Sequence, residues 1–152
     1  MAEFEFKKID YISDGEIDLI IEEKRGADSE KKRVPEYFYA ITLHHSAERI
    51  GAVNLIIGEN KDTFFRGHIG YKIDEKHRGN SYAAKACRLI KEVALAHDIE
   101  RLYITCNPDN YPSRRTCEKI GAKLVEVVDI PRENEMYREN EKQKCRYEWF
   151  IK

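Results

Sequence analysis

Residues 66–97 read RGHIGYKIDEKHRGNSYAAKACRLIKEVALAH, and this stretch decides the fold. Ile69, Tyr71 and Ile73 alternate with His68, Gly70 and Lys72. That is period two, the pattern of a half-buried strand. Asp74 to Ser81 is a tight polar turn that carries Gly79 and Asn80. Beyond it Ala83, Ala86, Cys87, Ile90, Val93, Ala94 and His97 recur every three or four positions and line one face of a helix.

A strand, a glycine-bearing turn and a helix start, in that order, suit an anion. The first turn of a helix has N–H groups without partners, and its dipole makes that end positive. Phosphate oxygens can take those donors. Gly79 permits backbone conformations that side chains resist. Ala83, Ala84 and Ala86 leave the first turn unobstructed, and His77 and Arg78 add positive charge beside it. The same residues also fit a plain strand–loop–helix crossover, because one glycine in a turn is a weak signal.

Here the residues resemble a family. GHIGY followed by KHRGNSYAAKA is similar to the acetyl-CoA-binding motif of the GNAT superfamily of N-acetyltransferases. That motif is usually written Gln/Arg-x-x-Gly-x-Gly/Ala. Its frame here is Lys76-His77-Arg78-Gly79-Asn80-Ser81, with Lys76 in place of Gln/Arg and Ser81 in place of Gly/Ala. Gly79 and the following Tyr82-Ala83 agree with the pattern.

The rest of the chain is consistent with one soluble domain. Its 152 residues are 41% hydrophobic and 36% charged, enough for a core without staples. A formal charge of −1 gives no global field that favours nucleic acid or an anionic membrane. No apolar run approaches the roughly 20 residues of a membrane span. The start, MAEFEFKKID, lacks a signal-peptide pattern. Cys87, Cys106, Cys117 and Cys145 form no C-x-x-C pair, so reduced thiols in a cytoplasm are expected rather than zinc or disulfides.

Read in order, Phe4, Phe6 and Lys8 alternate with Glu3, Glu5 and Lys7 and predict an opening strand to about Ile12. Ser13-Asp14-Gly15 reads as a turn and cap, and Ile17 to Arg25 as a short helix beginning near Glu16. Gly26 to Arg33 is charged and reads as loop or a frayed second helix. Glu36 to Leu43 and Glu48 to Ile57 are strands joined through His44-His45-Ser46-Ala47. The paired histidines suit a solvated turn better than a metal site, since no third ligand is evident nearby. Gly58 to Thr63 reads as a polar turn.

After the central helix, Leu102 to Cys106 is a strand, and Tyr111 to Ile120 a helix with Asn110 as cap and Gly121 as stop. Lys123 to Ile130 is a strand. Pro131 to Lys142 is irregular with one helical turn near Met136-Tyr137, and Lys144 to Ile151 is a final strand. The crossover from Ile69 to Cys106 should be right-handed with its strands parallel and adjacent. CNPDNYPSRRTCEKIGAKL resembles the family's Asn-x-x-Ser…Glu-Lys-x-Gly-Phe segment, with Asn110 and Ser113 in the Asn-x-x-Ser places and Ala122 where Phe is usual. The resemblance spans roughly Gly51 to Ile151. It implies a single 1–152 acetyltransferase domain of α+β, three-layer GNAT-like fold. Its central sheet would be mixed, mostly antiparallel, of about seven strands splayed in the middle and flanked by helices.

The resemblance also implies the activity: transfer of an acetyl group from acetyl-CoA to a primary amine by direct attack in a ternary complex. The alternative is a catalytically weak or inactive acyl-CoA-binding module of the same fold. Backbone groups of His77, Arg78, Gly79, Asn80, Ser81, Tyr82 and Ala83 would receive the pyrophosphate, with Lys76 and Arg78 adding charge. The pantetheine arm would lie along Tyr71-Lys72-Ile73, held also by Asn110 and Ser113 of the second motif. Asn110 read by itself is simply a helix cap.

A backbone N–H near Tyr71 would meet the oxyanion, with Gly67 and Gly70 allowing a bulge that splays the strands. His68 stands where many relatives have a carboxylate, and an imidazole suits proton removal from the amine. A structural histidine bonded to a neighbouring strand fits the position as well. Cys117 holds the place of the family's usual tyrosine acid; it is either a weak proton donor or a small apolar filler, with Tyr111 or unassisted departure of the thiolate as the other options. The acceptor is expected between Ile17–Pro35 and Pro131–Lys144. Glu133, Glu135, Glu139 and Glu141 would attract an amine there, and Tyr37, Tyr39 and Tyr137 would line a pocket. That amine belongs to a small molecule or to a protein N-terminus or lysine. The apolar final strand is available to pair with a second copy.

Overall fold

Antiparallel hairpins make up the first half of the chain. A computed structural model, describing residues 4–152, arranges β1 (Tyr11–Ser13), β2 (Ile17–Arg25), β3 (Glu36–Leu43), β4 (Arg49–Ile56) and β5 (Ile69–Ile73) in that order in one sheet. A second sheet holds β6 (Arg101–Cys106), β7 (Lys123–Asp129) and β8 (Gln143–Phe150) in the order β6-β8-β7. The helices are α1 (Lys61–Arg66), α2 (Tyr82–Ala96), α3 (Tyr111–Ile120) and α4 (Glu135–Arg138). Among the described residues the strands thus number eight in two sheets, against an expected seven or so in one. Among the described residues no helix is long and apolar enough to cross a membrane.

Three expectations for local structure are corrected. The helix expected from Glu16 is strand β2. Asp14 Oδ1 accepts from the Glu16 and Ile17 N–H groups at 2.8 Å each, and this closes a reverse turn instead of capping a helix. The chain folds back with Ser13 opposite Asp18, and β2 pairs along its length with β3, burying Ile17 and Leu19. The opening strand is only Tyr11–Ser13. Phe6 stands edge-on to Tyr37 at 5.0 Å and Phe4 stacks on His97 at 4.9 Å, so ring packing replaces strand pairing. Glu3 lies outside the described residues. The turn expected at Gly58–Thr63 leads into helix α1. Asn60 Oδ1 accepts from Thr63 N–H and Thr63 Oγ1 from Asn60 N–H, each at 2.9 Å, a reciprocal cap.

The buried face of α2, with Ala84, Ala86, Cys87, Ile90, Val93 and Ala94, packs on β2, β4 and β5. Tyr39, Ile41, Val53, Leu55, Leu102, Ile104 and Tyr147 complete this core. All four cysteines are buried and free.

The sheets part between β5 and β6. Instead of the parallel ladder expected there, a single antiparallel bridge joins Gly67 to Ile104. His68 N–H donates to Tyr103 O at 2.7 Å, and Tyr103 N–H donates back to His68 Nδ1 at 3.0 Å. At Gly67, φ is +77°, and an added Cβ would lie 2.9 Å from Tyr103 O, so this crossing requires glycine. The expected bulge in β5 is not formed; its register with β4 is regular from Ile69 opposite Leu55 to Ile73 opposite Gly51. The final strand is the middle strand of its sheet, paired on both sides, so neither of its edges is free for a second copy.

Candidate active site

The parting of the sheets leaves backbone groups without strand partners, and the ladder shows which. Ile56 N–H donates to His68 O and Asp74 N–H to Ile50 O, both at 2.8 Å. Antiparallel pairs alternate between bonded and non-bonded, so Gly70 and Lys72 exchange bonds with β4, while His68 bonds to it through its C=O and Asp74 through its N–H. Ile69, Tyr71 and Ile73 therefore turn their N–H and C=O groups away from β4, toward the gap. Arg78 Nε donates to Ile73 O at 3.0 Å, which leaves Ile73 N–H and both backbone groups of Tyr71 in the gap.

Beyond Ile73 a single 3₁₀ turn, Glu75–His77, leads to Gly79 at φ +88° and Ser81 at φ +63°. Ser81 is the N-cap of α2, yet its side chain caps nothing; Ser81 Oγ accepts from Lys119 Nζ at 2.8 Å instead. The first N–H groups of α2 are thus uncapped by a side chain, and no acidic residue stands in its first turn.

These features wall a cavity of about 510 Å³. It is lined by β5, by the turn, by the first turn of α2 and by α3 along most of its length. Lys72, Arg78, Arg115 and Lys119 line it, and among the described residues no carboxylate does. Uncompensated cations around uncapped amides make a site for a polyanion. Tyr71, Lys72, Ile73, His77, Arg78, Gly79, Ser81, Tyr82, Ala83, Asn110 and Ser113, all anticipated as binding residues, line this cavity together. Lys76 and Asn80 do not. Lys76 Nζ pairs with Glu48 at 2.9 Å, and Asn80 Nδ2 folds back onto His77 O at 3.0 Å. Arg115, Thr116 and Lys119 were missed. They lie past the Asn-x-x-Ser string on α3, and only tertiary packing brings them to α2. Asn110 does cap α3, its Oδ1 accepting from Ser113 N–H at 3.2 Å, but that bond leaves its amide NH₂ unused by the cap.

On the other side of Tyr71 lies a smaller cavity of about 190 Å³, lined among others by Arg66, Thr105, Asn107, Glu141 and Lys144. Tyr71, Asn110 and Ser113 line both cavities. Tyr71 Oη lies 2.6 Å from Ser113 Oγ. Burial pushes the Tyr71 phenol far above its ordinary pKa, so it stays protonated. Of the residues expected around the acceptor, Glu141 reaches this cavity. Tyr37 and Tyr39 are fully buried in the core, which corrects their expected place in a pocket wall.

The remaining catalytic candidates lie elsewhere. Cys117 is fully buried and lines neither cavity; burial raises its thiol pKa well above the ordinary value, neighbouring cysteines add to this, and the Tyr71 phenol opposes it. His68 also lines neither cavity. Its Nδ1 lone pair is used by Tyr103 N–H, and Nε2 faces the Glu59 carboxylate at 3.6 Å. Burial lowers its pKa, with Glu59 opposing. The pair His44-His45 is a turn in which His44 Nδ1 meets Asp18 at 2.8 Å.

Comparison with known proteins bears on this arrangement. The sequence profile of the acetyltransferase (GNAT) domain matches residues 6–123. The chain belongs to the GNAT acetyltransferase family. Over 74 residues it is 31% identical to the uncharacterized N-acetyltransferase YnaD of Bacillus subtilis (strain 168), covering 47% of this chain and 44% of that one. The microcin C7 self-immunity acetyltransferase MccE, solved with acetyl-CoA and AMP, superposes with a TM-score of 0.60 at 21% identity over 76% of this chain and 61% of its own. The ribosomal L7/L12 α-N-protein acetyltransferase RimL, solved with coenzyme A, gives a TM-score of 0.60 at 20% identity over 76% and 62%. At these identities the structural likeness is one of GNAT fold. The chain spans about three fifths of those structures and under half of the curated relative.

Proposed function

We propose that this GNAT chain is an N-acetyltransferase that moves an acetyl group from acetyl-CoA to a primary amine by direct attack in a ternary complex. The observation that carries the reading is the reach of the larger cavity. It runs from the uncapped start of α2 to the unpaired backbone of Tyr71, and it shares Tyr71, Asn110 and Ser113 with the second cavity. The fit to acetyl-CoA rests on those groups. The amides from Gly79 to Ala83, with Arg78, Arg115 and Lys119, would hold phosphates. Tyr71 and Ile73 would pair with the amides of the pantetheine arm as a neighbouring strand would. Tyr71 N–H would then donate to the thioester oxygen as negative charge gathers on it.

The amine would enter from the smaller cavity, where Glu141 can receive its cationic form. Of the two readings of His68, its bonding to Tyr103 supports the structural one. The ligands of the solved relatives support the choice of thioester. MccE was solved with acetyl-CoA and RimL with coenzyme A. The acceptor is an amine of a small molecule or of a protein N-terminus or lysine.

The test has two steps. Acetyl-CoA is titrated in a thermal-shift assay, and the protein is then screened for release of coenzyme A thiol with polyamines, aminoglycosides, amino acids and N-terminal peptides. Stabilisation that grows with acetyl-CoA concentration, followed by thiol release with at least one amine, is expected. Stabilisation with no release would instead support the inactive-module alternative, and no stabilisation would remove the cofactor assignment.

A further inference from the structure

We infer that the acceptor is a small amine that carries a carboxylate, an amino acid, and that Arg66 and Lys144 hold this carboxylate in the smaller cavity. The inference names the substrate class of the acetyl-transfer reading above and rests on it.

Among the described residues, three charged ones line the smaller cavity: Arg66, Glu141 and Lys144. The fold explains how the two cations meet there. Cys145, Tyr147 and Trp149 of β8 lie in the core, so Lys144 and Arg146 belong to the opposite face of that sheet. Helix α1 covers this face. Thr105 Oγ1 donates to Phe65 O at 2.7 Å, and the Arg146 guanidinium bonds to Phe64 O and lies 3.8 Å over the Phe64 ring. Thr105 and Arg146 stand directly opposite each other. One step further along the face is Lys144, and α1 ends at Arg66. One cation therefore comes to the cavity from the sheet and the other from the end of the helix.

Their charges are not balanced within the cavity. The Lys144 side chain is only 8% exposed, and its ion-pair partner among the described residues is Glu141, at 3.3 Å. An ammonium has three donors, so this pairing leaves room for a second acceptor. Arg66 meets Glu135 only at 4.0 Å, and Glu135 is a largely exposed carboxylate that does not line the cavity. Glu141 thus offsets one of the two cations and leaves the other. A guanidinium takes a carboxylate through two parallel N–H bonds, and Lys144 can share the same group.

The same charges select against other amines. A polyamine would bring a second ammonium up to two cations. A protein N-terminus carries no carboxylate beside its amine. Pockets for drug-sized ligands run from about 300 Å³ upward; at about 190 Å³ this one suits a smaller molecule. Tyr71 lines the cavity as well, so an amine a few bonds from the held carboxylate reaches the thioester that Tyr71 N–H would polarise.

The test pairs each amino acid of the thiol-release screen with its primary amide, which keeps the amine and the size but removes the negative charge. For the preferred acid, kcat/KM should exceed that of its amide by about ten- to a hundred-fold, the loss expected with one charged hydrogen bond. Arg66→Gln and Lys144→Met should each bring this ratio toward one while acetyl-CoA still raises the melting temperature. Lys144 is buried and its loss can disturb folding, so the decisive variant is at Arg66, whose side chain is 48% exposed. Arg66→Glu should reverse the order and turn over a diamine faster than the acid, an outcome that misfolding does not mimic. An amide used as fast as its acid, a polyamine or N-terminal peptide preferred to every amino acid, or a ratio that survives Arg66→Gln overturns the inference and leaves the transferase reading intact. Wild-type protein that binds acetyl-CoA yet releases no thiol with any amine overturns both.

Discussion

Lys119 and Lys76 carry the same charge and sit near the same turn, but their neighbours give them different roles. Lys119 reaches across from α3 to Ser81 Oγ at the uncapped start of α2, whereas Lys76 is held outside by Glu48. Lys119→Ala should therefore weaken acetyl-CoA binding by about ten- to a hundred-fold, the loss expected of one charged hydrogen bond. Lys76→Ala should leave it unchanged. Titration calorimetry on both variants checks this, and equal effects would contradict the geometry. The sequence named Lys76 because it occupies a motif position. It was silent on Lys119 because a helix–helix contact 38 residues apart leaves no local signal. Gly79, Ser81 and Asn110 were legible because backbone conformation and capping are written in short range.

At the scale of elements, alternation and capping decided most of the fold. β5 and α2 follow their periodicities, and α3 begins at Asn110 and stops at Gly121 as its cap and C′ glycine dictate. Ile17 to Arg25 failed because Asp14 bonds to N–H groups at the start of a helix or in a reverse turn alike. Only pairing with β3 decides between them. The strand seam between β5 and β6 failed for another reason: Gly67 and the His68 ring occupy it, and their effect is three-dimensional. Helix α1 was missed because its capping residue, Asn60, sits in a string that also fits a turn. Removing that cap with Asn60→Ala should cost about 1 kcal/mol and speed amide exchange in Lys61–Arg66 first. Hydrogen exchange by NMR reads both. Exchange that quickens equally across the whole chain would mean that α1 does not open by itself.

Across the whole molecule, His68 is a joint between two sheets that otherwise meet through one bridge. Burial lowers its pKa from 6.5, so the native state resists protonating it while the unfolded chain accepts the proton freely. Its contribution is complete above about pH 6.5 and is lost as pH falls toward its depressed native pKa. His68→Asn keeps an acceptor near the Nδ1 position for Tyr103 N–H but cannot titrate there. Denaturant melts from pH 7 down to 5 should show wild type losing stability more steeply than the variant. Parallel losses would mean that another group governs the dependence. If the histidine is a joint and not the base, the variant should also keep most of its kcat.

An unpaired strand edge on the outside of a protein invites other chains to add to it and aggregate. Here the free amides of Tyr71 and Ile73 are turned inward, in a cleft roofed by α3 and stopped at one end by His68. A folded neighbour cannot reach them, whereas a slender chain with one or two amides of its own can. The same enclosure that makes this edge selective also makes it safe in a crowded solution.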